Sequence, residues 1–494
     1  MTRPVRLALR IWRDRGQRSP GDRAFAVYLA AMLTLTVVAP IARAAWLGIV
    51  SPDGIAMLTS DASAHVTSLI VATVWASSLI LGRDRGPAVR PQFLTHALAT
   101  SSIPRSVAFL GPVLRSGVGV VLLTTAASGA IGAGLVSAGS ADLLAGVTFA
   151  VTGAVVGTIT AVLWLMGQAL PRAAVVTAAG IITLGSVSMA IPSTMALTPW
   201  GWAGLAYPGA DVGGALIALT AVSIAFIACT PTLINRVRLS VLIDQASRWD
   251  QATGHATAMS LDAAVSVYRP LPRVGRTLRA IPRRAPLPLT FFVRDAVGAS
   301  RTPGRLIAGT TALVLATLVV VLASAPGAPS VFLGAVAGIA MFAGLGPLTD
   351  GIRHAANVAA GLPLYGLSDE SLLANHLVFP AIAIAVVGMS VCAATGFAGG
   401  PAPLASTLVT GALSLIARAG GALKGPLPVT LLTPIPTPMG DIGAAARAVW
   451  AVDGVVLTAL GGAAAIMMFA APVPLIVVCA VTIGIGVARW RYRR

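Results

Sequence analysis

Charge is scarce throughout this chain. Only 10% of its 494 residues are charged and 56% are hydrophobic, whereas soluble domains carry about 25% charged residues. The mean hydropathy is +0.87. A deficit of charge spread over the whole length is typical of a polytopic membrane protein, and the long apolar runs predict an all-α fold.

Lysine and glutamate are nearly absent. Lys424 is the only lysine and follows Leu423, so the chain lacks a P-loop, which needs a lysine directly after glycine. Glu370 is the only glutamate, and the five histidines show no His-x-x-x-His spacing. No predicted span carries two carboxylates for acid–base or metal chemistry. We therefore expect neither an enzyme nor a bound cofactor or metal in this chain.

Cysteine is rare, and positive charge is confined to polar segments. Cys229, Cys392 and Cys479 lie inside apolar runs, which predicts small buried hydrophobes rather than a disulfide framework or a metal site. The net charge of +18 comes mainly from arginines between the apolar runs, as the positive-inside rule expects. No basic domain with interleaved aromatic residues is present, so nucleic acid is not an expected partner.

Twelve apolar runs approach the roughly 20 residues that a transmembrane helix needs. The first run is longer than a signal-peptide core and is expected to be retained. Arginine-free loops are expected outside and arginine-rich segments inside. This predicts a multi-pass protein of the plasma membrane with both termini cytoplasmic. The predicted spans are 25–46, 64–82, 107–136, 143–168, 173–191, 212–233, 306–324, 329–346, 377–396, 403–418, 447–468 and 471–489.

Similar sequences precede two of these runs. Arg13-Asp14 and then Pro20-Gly21 precede the first run, and Arg294-Asp295 and then Pro303-Gly304 precede the seventh. The separations are 281 positions (294 − 13) and 283 positions (303 − 20). Further correspondences are Leu81-Gly82 with Leu345-Gly346, and Pro112 with Pro380. Both leaders lie on the predicted cytoplasmic side, so the pattern indicates two parallel six-span repeats.

The repeat suggests three segments. We predict a first six-span unit with an N-terminal interfacial helix over 1–233, a basic cytoplasmic linker over 234–284, and a second six-span unit with its own interfacial helix over 285–494. Residues 236–268 are predicted to form one amphipathic helix, which belongs either to a linker near anionic headgroups or to a partner-binding segment. The proline-rich stretch 419–446 is predicted to be a cytoplasmic loop or a re-entrant segment.

Asp453 is a carboxylate inside a predicted span. Ionisable residues within spans are rare and usually have a function. We predict that Asp453 forms an ion pair with Arg418 or Arg447 that fixes helix packing. The alternative is a role in binding substrate or an ion.

Several segments together resemble the membrane subunit of an ABC-2 type exporter, in its fused, duplicated actinobacterial form. Arg85-Gly86-Pro87, the stretch from Leu94 to Arg105, and Leu367-Ser368-Asp369 with His376 are similar to the inside loop between the second and third spans of that family. Residues 198–202 are similar to its outer turn before the sixth span. The resemblance implies six-span units, each opened by an interfacial helix, and a permease that works with a separate ATPase.

Alternating access around a substrate path between two units is the mechanism that the resemblance implies. Cytoplasmic ATPase subunits would bind ATP and push on the two inside loops. The residues implied for these coupling loops are Arg83, Asp84, Arg85, Leu94, Arg105, Leu367, Ser368, Asp369 and Glu370. For the charged members, the alternative is that they are solvated loop ends that set the topology. The cargo is expected to be apolar or amphipathic, because the spans are rich in Ala, Gly, Val and Leu.

Two other classes of function are open on the residues alone. A secondary, ion-coupled transporter would need no partner, although such carriers generally place carboxylates or broken helices at the bilayer midplane. A membrane enzyme or a membrane protein of cell-envelope assembly is the third class. Co-purification of a stoichiometric ATPase would distinguish the exporter from the carrier.

Overall fold

The computed structural model describes most of the chain and divides it into two compact units, Met1–His255 (unit 1) and Ala256–Arg494 (unit 2). The division falls within the predicted linker. The first leader motif, Arg13-Asp14, lies outside the described residues, and of its predicted interfacial helix only Leu7 and Ile11 are described, both as helical. The described residues are 7, 11, 20–208, 213–269, 272, 274–275, 277–281, 285–359, 361, 366–397, 399–425, 427–433, 436–437 and 440–493.

The described part of unit 1 is helical. Its α-helices are α1 (Pro20–Leu33), α2 (Ala39–Val50), α3 (Pro52–Leu58), α4 (Ser63–Asp84), α5 (Gln92–Ala99), α6 (Arg105–Ala108), α7 (Leu110–Ser137), α8 (Leu143–Ala169), α9 (Pro171–Ala190), α10 (Pro199–Leu205), α11 (Gly213–Arg236) and α12 (Leu239–Thr257). A π-helical turn at Thr34–Val38 joins α1 to α2, and a 3₁₀ turn at Pro192–Leu197 precedes α10. Local sequence sets several helix starts: the side chain of Asp142 accepts from Ala145 N at 2.7 Å and caps α8, and Pro171 occupies the first turn of α9.

The described residues of unit 2 are also helical where they form regular structure, apart from a two-residue antiparallel ladder of β1 (Pro436–Thr437) and β2 (Gly440–Asp441). A 3₁₀ turn at Gly346–Leu348 follows its second long helix. Its α-helices are α13 (Leu261–Ser266), α14 (Leu287–Ser300), α15 (Pro303–Ala323), α16 (Ser330–Leu345), α17 (Asp350–Val358), α18 (Asp369–Ala394), α19 (Ala402–Leu423), α20 (Val429–Leu432), α21 (Ile442–Ile466) and α22 (Pro472–Arg493).

The long helices confirm the prediction of an all-α, multi-pass membrane protein. Eleven of the described helices are long and apolar enough to cross a membrane. The pair α2 and α3, bent by 71° at Ser51, would bring the number to twelve if it forms one span. Most observed bounds lie within four residues of the predicted ones, because apolar sequence largely determines where such helices can lie. For example, α8 covers 143–169 where 143–168 is predicted. The exceptions include α18, which begins eight residues early (377 − 369), and α19, which ends five residues late (423 − 418).

Glycine allows the closest approaches between spans in both units. A Cβ on Gly82 of α4 would lie 2.0 Å from the carbonyl oxygen of Trp164 on α8. In unit 2, a Cβ on Gly338 of α16 would lie 1.9 Å from the carbonyl oxygen of Thr458 on α21. Both distances are far below van der Waals contact, so these crossings exist only because the residues are glycines.

The two units share several pairs of packed helices. We number the long helices of each unit by the predicted span that they cover, so that α4 is the second in unit 1 and α16 is the second in unit 2. In both units the second helix packs against the fourth and the fifth. These pairs are α4 with α8 and α9 in unit 1, and α16 with α19 and α21 in unit 2. The fourth also packs against the third and the sixth: α8 against α7 and α11, and α19 against α18 and α22.

Two predicted segments differ from the structure. Residues 236–268 form two helices after the end of α11 rather than a single helix. The break holds Met259 at φ 56°, a left-handed conformation that an L-residue rarely adopts and that ends a helix. In the proline-rich stretch, α21 begins at Ile442, five residues before the predicted position (447 − 442).

Candidate functional site

The residues of the first predicted coupling loop gather at one side of unit 1. Arg83 and Asp84 form the last turn of α4, and Arg85 follows as its cap, donating from its backbone N to the carbonyl of Leu81 at 2.7 Å. We call the side formed by residues 83–109 and 236–257 the basic face of unit 1. The loops 51–62 and 191–208 form the opposite face.

Two buried glutamines hold the end of α4. Gln245 of α12 accepts hydrogen bonds from Gly86 N at 2.9 Å and from Gln168 Nε2 at 2.8 Å. Gln245 also donates to the carbonyls of Gly82 and Arg83, at 3.1 and 3.0 Å. These carbonyls belong to the last turn of a helix, where partners within the helix run out. We call Gln168 and Gln245 the amide clamp; it completes the hydrogen bonding of the α4 terminus with neutral groups.

Arg85 and Asp250 fix the loop at two further points. The carbonyl of Arg85 accepts from Trp164 Nε1 at 2.6 Å, and its guanidinium carbon lies 3.7 Å from the ring centroid of Trp249 on α12, a cation–π geometry. The next residue, Asp250, accepts from Gln92 N at 2.7 Å. A carboxylate at the N-terminus of α5 is electrostatically favourable. α12 is therefore built into unit 1.

α5 has a buried face and an exposed face. Leu94 and Leu98 are buried at 4% and 3% exposure, whereas Phe93 is 61% exposed. Beyond α5, Arg105 donates to the carbonyl of Val237. The guanidinium groups of Arg85 and Arg105 thus make contacts within unit 1, and Phe93 is the large side chain that α5 presents to its surroundings.

In unit 2, the second leader motif forms a buried carboxylate–imidazole pair. Asp295 Oδ2 on α14 lies 2.7 Å from His376 Nδ1 on α18, and the two side chains are 7% and 0% exposed. A Cβ on Gly351 of α17 would lie 2.3 Å from His376 Nδ1 and 2.5 Å from Asp295 Oδ2. We call Asp295 and His376 the buried Asp–His pair. It joins α14 to the start of α18, and it leaves room only for glycine at position 351.

Charged groups surround this pair. His354 of α17 has its ring centroid 6.4 Å from that of His376. Burial lowers the pKa of His354, the charges of Arg294 and His376 lower it further, and Asp295 opposes them. Folding therefore disfavours the protonated form of His354. At the start of α17, Asp350 lies 2.8 Å from Arg305 and 3.5 Å from Arg269.

The second predicted coupling loop leads into α18. The hydroxyl of Ser368 accepts from Ser371 N at 3.3 Å and caps the helix. Asp369 and Glu370 occupy the first turn, where negative charge is favourable. Leu367 packs on the apolar cluster beneath α14. These residues stabilise the start of α18, a structural role that does not depend on contact with an ATPase subunit.

Asp453 has two cationic partners, but not the predicted ones. Lys424 Nζ lies 2.9 Å from Asp453 Oδ1, and Arg489 contacts the other carboxylate oxygen. Arg418 instead donates to the carbonyl of Phe342 at 2.8 Å. The prediction of Arg418 or Arg447 as partner is therefore wrong. The charged group ties together the ends of α19 and α22 and the first half of α21.

The glutamines of the amide clamp had no sequence signal that singled them out. Gln168 lies near the end of a very apolar span, and its neutral amide is not one of the ionisable groups that indicate a functional residue within a span. Gln245 lies on an amphipathic helix where exposed and buried glutamines look alike. Among the described residues, no group of three or more His, Cys, Asp or Glu side chains is placed to hold a metal ion.

Comparison with known proteins gives no relative: no family model, curated protein or solved structure matches the chain.

Proposed function

We propose that the chain is the membrane-spanning permease subunit of an ABC-2 type exporter, which moves an apolar or amphipathic substrate with energy from a separate ATPase. In this proposal the basic face of unit 1 is cytoplasmic, both termini are inside, and the membrane is the plasma membrane. The two units are parallel copies of an ancestral six-span unit. The shared helix pairs and the leader motif before α15 support the duplication.

The observation that carries the proposal is the construction of the basic face of unit 1. The segment between the second and third spans is not a loose loop, because the amide clamp and Asp250 fix it to two helices, α8 and α12. This rigid segment presents an aromatic side chain, Phe93, at 61% exposure. Aromatic anchors on rigid elements are typical of protein interfaces, and an ATPase acting here would push on the ends of α4 and α8.

The surroundings of Asp453 favour transport driven by a partner ATPase over transport coupled to an ion gradient. The carboxylate of Asp453 is engaged by two cations, so its place in the structure is that of an ion pair that fixes helix packing. A proton carrier needs a carboxylate that gains and loses its proton during the cycle. Together with the missing P-loop, this arrangement supports a chain that depends on a partner ATPase.

Purification in mild detergent from the native host tests the proposal. We expect an ATPase to co-purify in stoichiometric amount, and we expect Phe93→Ala to reduce its recovery at least several-fold. Phe469→Ala is the matched control, because Phe469 is 68% exposed but lies at the turn between α21 and α22. If no ATPase co-purifies with the wild type and transport follows a proton gradient without ATP, the chain is a secondary carrier.

A further inference from the structure

Polar side chains in the spans usually have a hydrogen-bond partner inside the structure. Thr152 and Thr160 of α8 donate to the carbonyls four residues earlier, at 2.9 and 2.7 Å. The indoles of Trp164 and Trp202 donate to the carbonyls of Arg85 and Ala196, at 2.6 and 2.8 Å. This is the expected state, since a buried donor without an acceptor is costly.

Four buried polar atoms in the described part of unit 1 are exceptions. They are His65 Nε2, Ser68 Oγ, Trp75 Nε1 and Trp200 Nε1. The side chains of Ser68, Trp75 and Trp200 are 2%, 3% and 7% exposed, so solvent does not satisfy them. These four unpaired atoms are of interest because they belong to only two helices, which pack against each other.

All four atoms lie on α4 or on the helix that covers it. Residues 65, 68 and 75 share one face of α4, since a helix repeats every 3.6 residues. Trp200 belongs to α10, which packs against α4. A Cβ on Gly185 would lie 2.9 Å from the Cβ of Ala72, on the same face, and 3.9 Å from Trp200 Nε1. Trp75 and Trp200 belong to one apolar cluster. The unused groups therefore lie along one side of α4 and on the helix α10 that packs against it.

The chemistry of these groups restricts what they can bind. An indole N–H only donates, so two indoles require an acceptor oxygen or nitrogen. The surrounding cluster consists of apolar and aromatic side chains, which suits an apolar body next to the acceptor. Indole rings combine the two properties, with an apolar surface and one polar end.

We propose that Ser68, Trp75 and Trp200 form a binding site for an amphipathic molecule whose acceptor oxygen, from an ester or a phosphate, receives the two indole N–H groups. We call these residues the indole site. The acceptor comes either from a bilayer lipid or from a transported cargo, which present the same chemistry. Binding does not depend on the proposed ATPase, whereas the identification of the ligand as cargo rests on the proposed transport function.

Indole resonances measured by NMR test the site directly. The protein, labelled with ¹⁵N-tryptophan and held in alkyl maltoside micelles, is titrated with methyl dodecanoate, with dodecyl phosphate and with dodecane. We expect the indole N–H resonances of Trp75 and Trp200 to move with the ester or the phosphate and not with the alkane. The resonances of Trp164 and Trp202, whose donors are already paired, are internal controls and should stay in place.

Variants then distinguish the contribution of the indole N–H group from that of the aromatic ring. Trp200→Phe keeps an aromatic ring and removes the N–H, so the concentration of ester or phosphate that half-shifts the Trp75 resonance should rise roughly tenfold, the effect of one lost hydrogen bond. Trp202→Phe, on the same helix, should leave it unchanged. A Trp75 resonance already shifted in phospholipid nanodiscs without additive identifies bilayer lipid as the source.

The proposal is wrong if no acceptor-bearing chain moves the Trp75 and Trp200 resonances. It is equally wrong if dodecane moves them as far, or if Trp202 responds as strongly. None of these outcomes depends on recovery of an ATPase, so a failure of the indole site and a failure of the exporter proposal can be distinguished.

Discussion

Replacing Gln245 by leucine should release the basic face of unit 1. The side chain is 1% exposed and forms four hydrogen bonds, so leucine fills its volume but leaves Gly86 N and Gln168 Nε2 without an acceptor. Each buried donor that loses its partner costs about 1–3 kcal/mol. Local opening of residues 83–99 should therefore become easier by about 3 kcal/mol, which corresponds to roughly a hundredfold in the opening equilibrium.

Hydrogen–deuterium exchange followed by mass spectrometry measures this opening peptide by peptide. We expect amides in 83–99 to exchange roughly a hundredfold faster in Gln245→Leu, with little change in α15 or α16. Gln251→Leu is the matched control, since Gln251 lies on the same helix but is exposed and bonds only locally, to Ser247 Oγ at 3.1 Å. Unchanged exchange in Gln245→Leu, or equal acceleration in Gln251→Leu, would refute the role assigned to the amide clamp.

Three further substitutions test unit 2. Gly351→Ala should lower the apparent melting temperature, because its Cβ would force apart the buried Asp–His pair at a cost of about 1–3 kcal/mol; Gly298→Ala, where a Cβ meets nothing within 4 Å, should be neutral or slightly stabilising. Asp453→Asn removes the negative charge that Lys424 and Arg489 share, so we expect a loss of about 3 kcal/mol in stability. Quantitative size-exclusion profiles should show a lower yield of folded protein, and an unchanged yield would contradict this role. Folding lowers the pKa of His354, so the unfolded state binds protons more readily than the folded state. The melting temperature should therefore fall as the pH drops below about 6.5. His354→Asn should make this fall smaller, and an unchanged pH profile in the variant would show that His354 is not its cause.

The spans were predictable because one physical requirement sets them. A helix that crosses the bilayer must keep its backbone groups paired and its surface apolar over about 20 residues. That signal is strong in α8 and α15, where few polar residues interrupt the run. It is weak near 419–446, where prolines and a single lysine mix with apolar residues. The predicted start of α21 was therefore late, and the depth of Asp453 along its helix was underestimated.

The contacts of the candidate site were not predictable, because they join residues far apart in the chain. Gln245 and Gly86 are 159 positions apart, and no local pattern distinguishes that glutamine from Gln251. Asp453 shows the same limit, because Lys424 and Arg489 are 29 and 36 positions away and Arg418 is 35 positions away (453 − 418). Separation along the chain therefore does not identify the partners of Asp453, which depend on how three helices pack.

The segments that the repeat pattern predicts to correspond in the two units are held by different side chains. The alignment of Pro112 with Pro380 (an offset of 268) places Ala108 opposite His376 (376 − 268), so the first unit has no imidazole at that position. Its segment is fixed by the neutral amide clamp, whereas the second unit uses the buried Asp–His pair and the Arg305–Asp350 contact. Loss of a hydrogen-bond partner therefore leaves a neutral amide unpaired in unit 1, at a cost of about 1–3 kcal/mol, whereas in unit 2 it leaves the buried carboxyl group of Asp295 without its partner, which costs more.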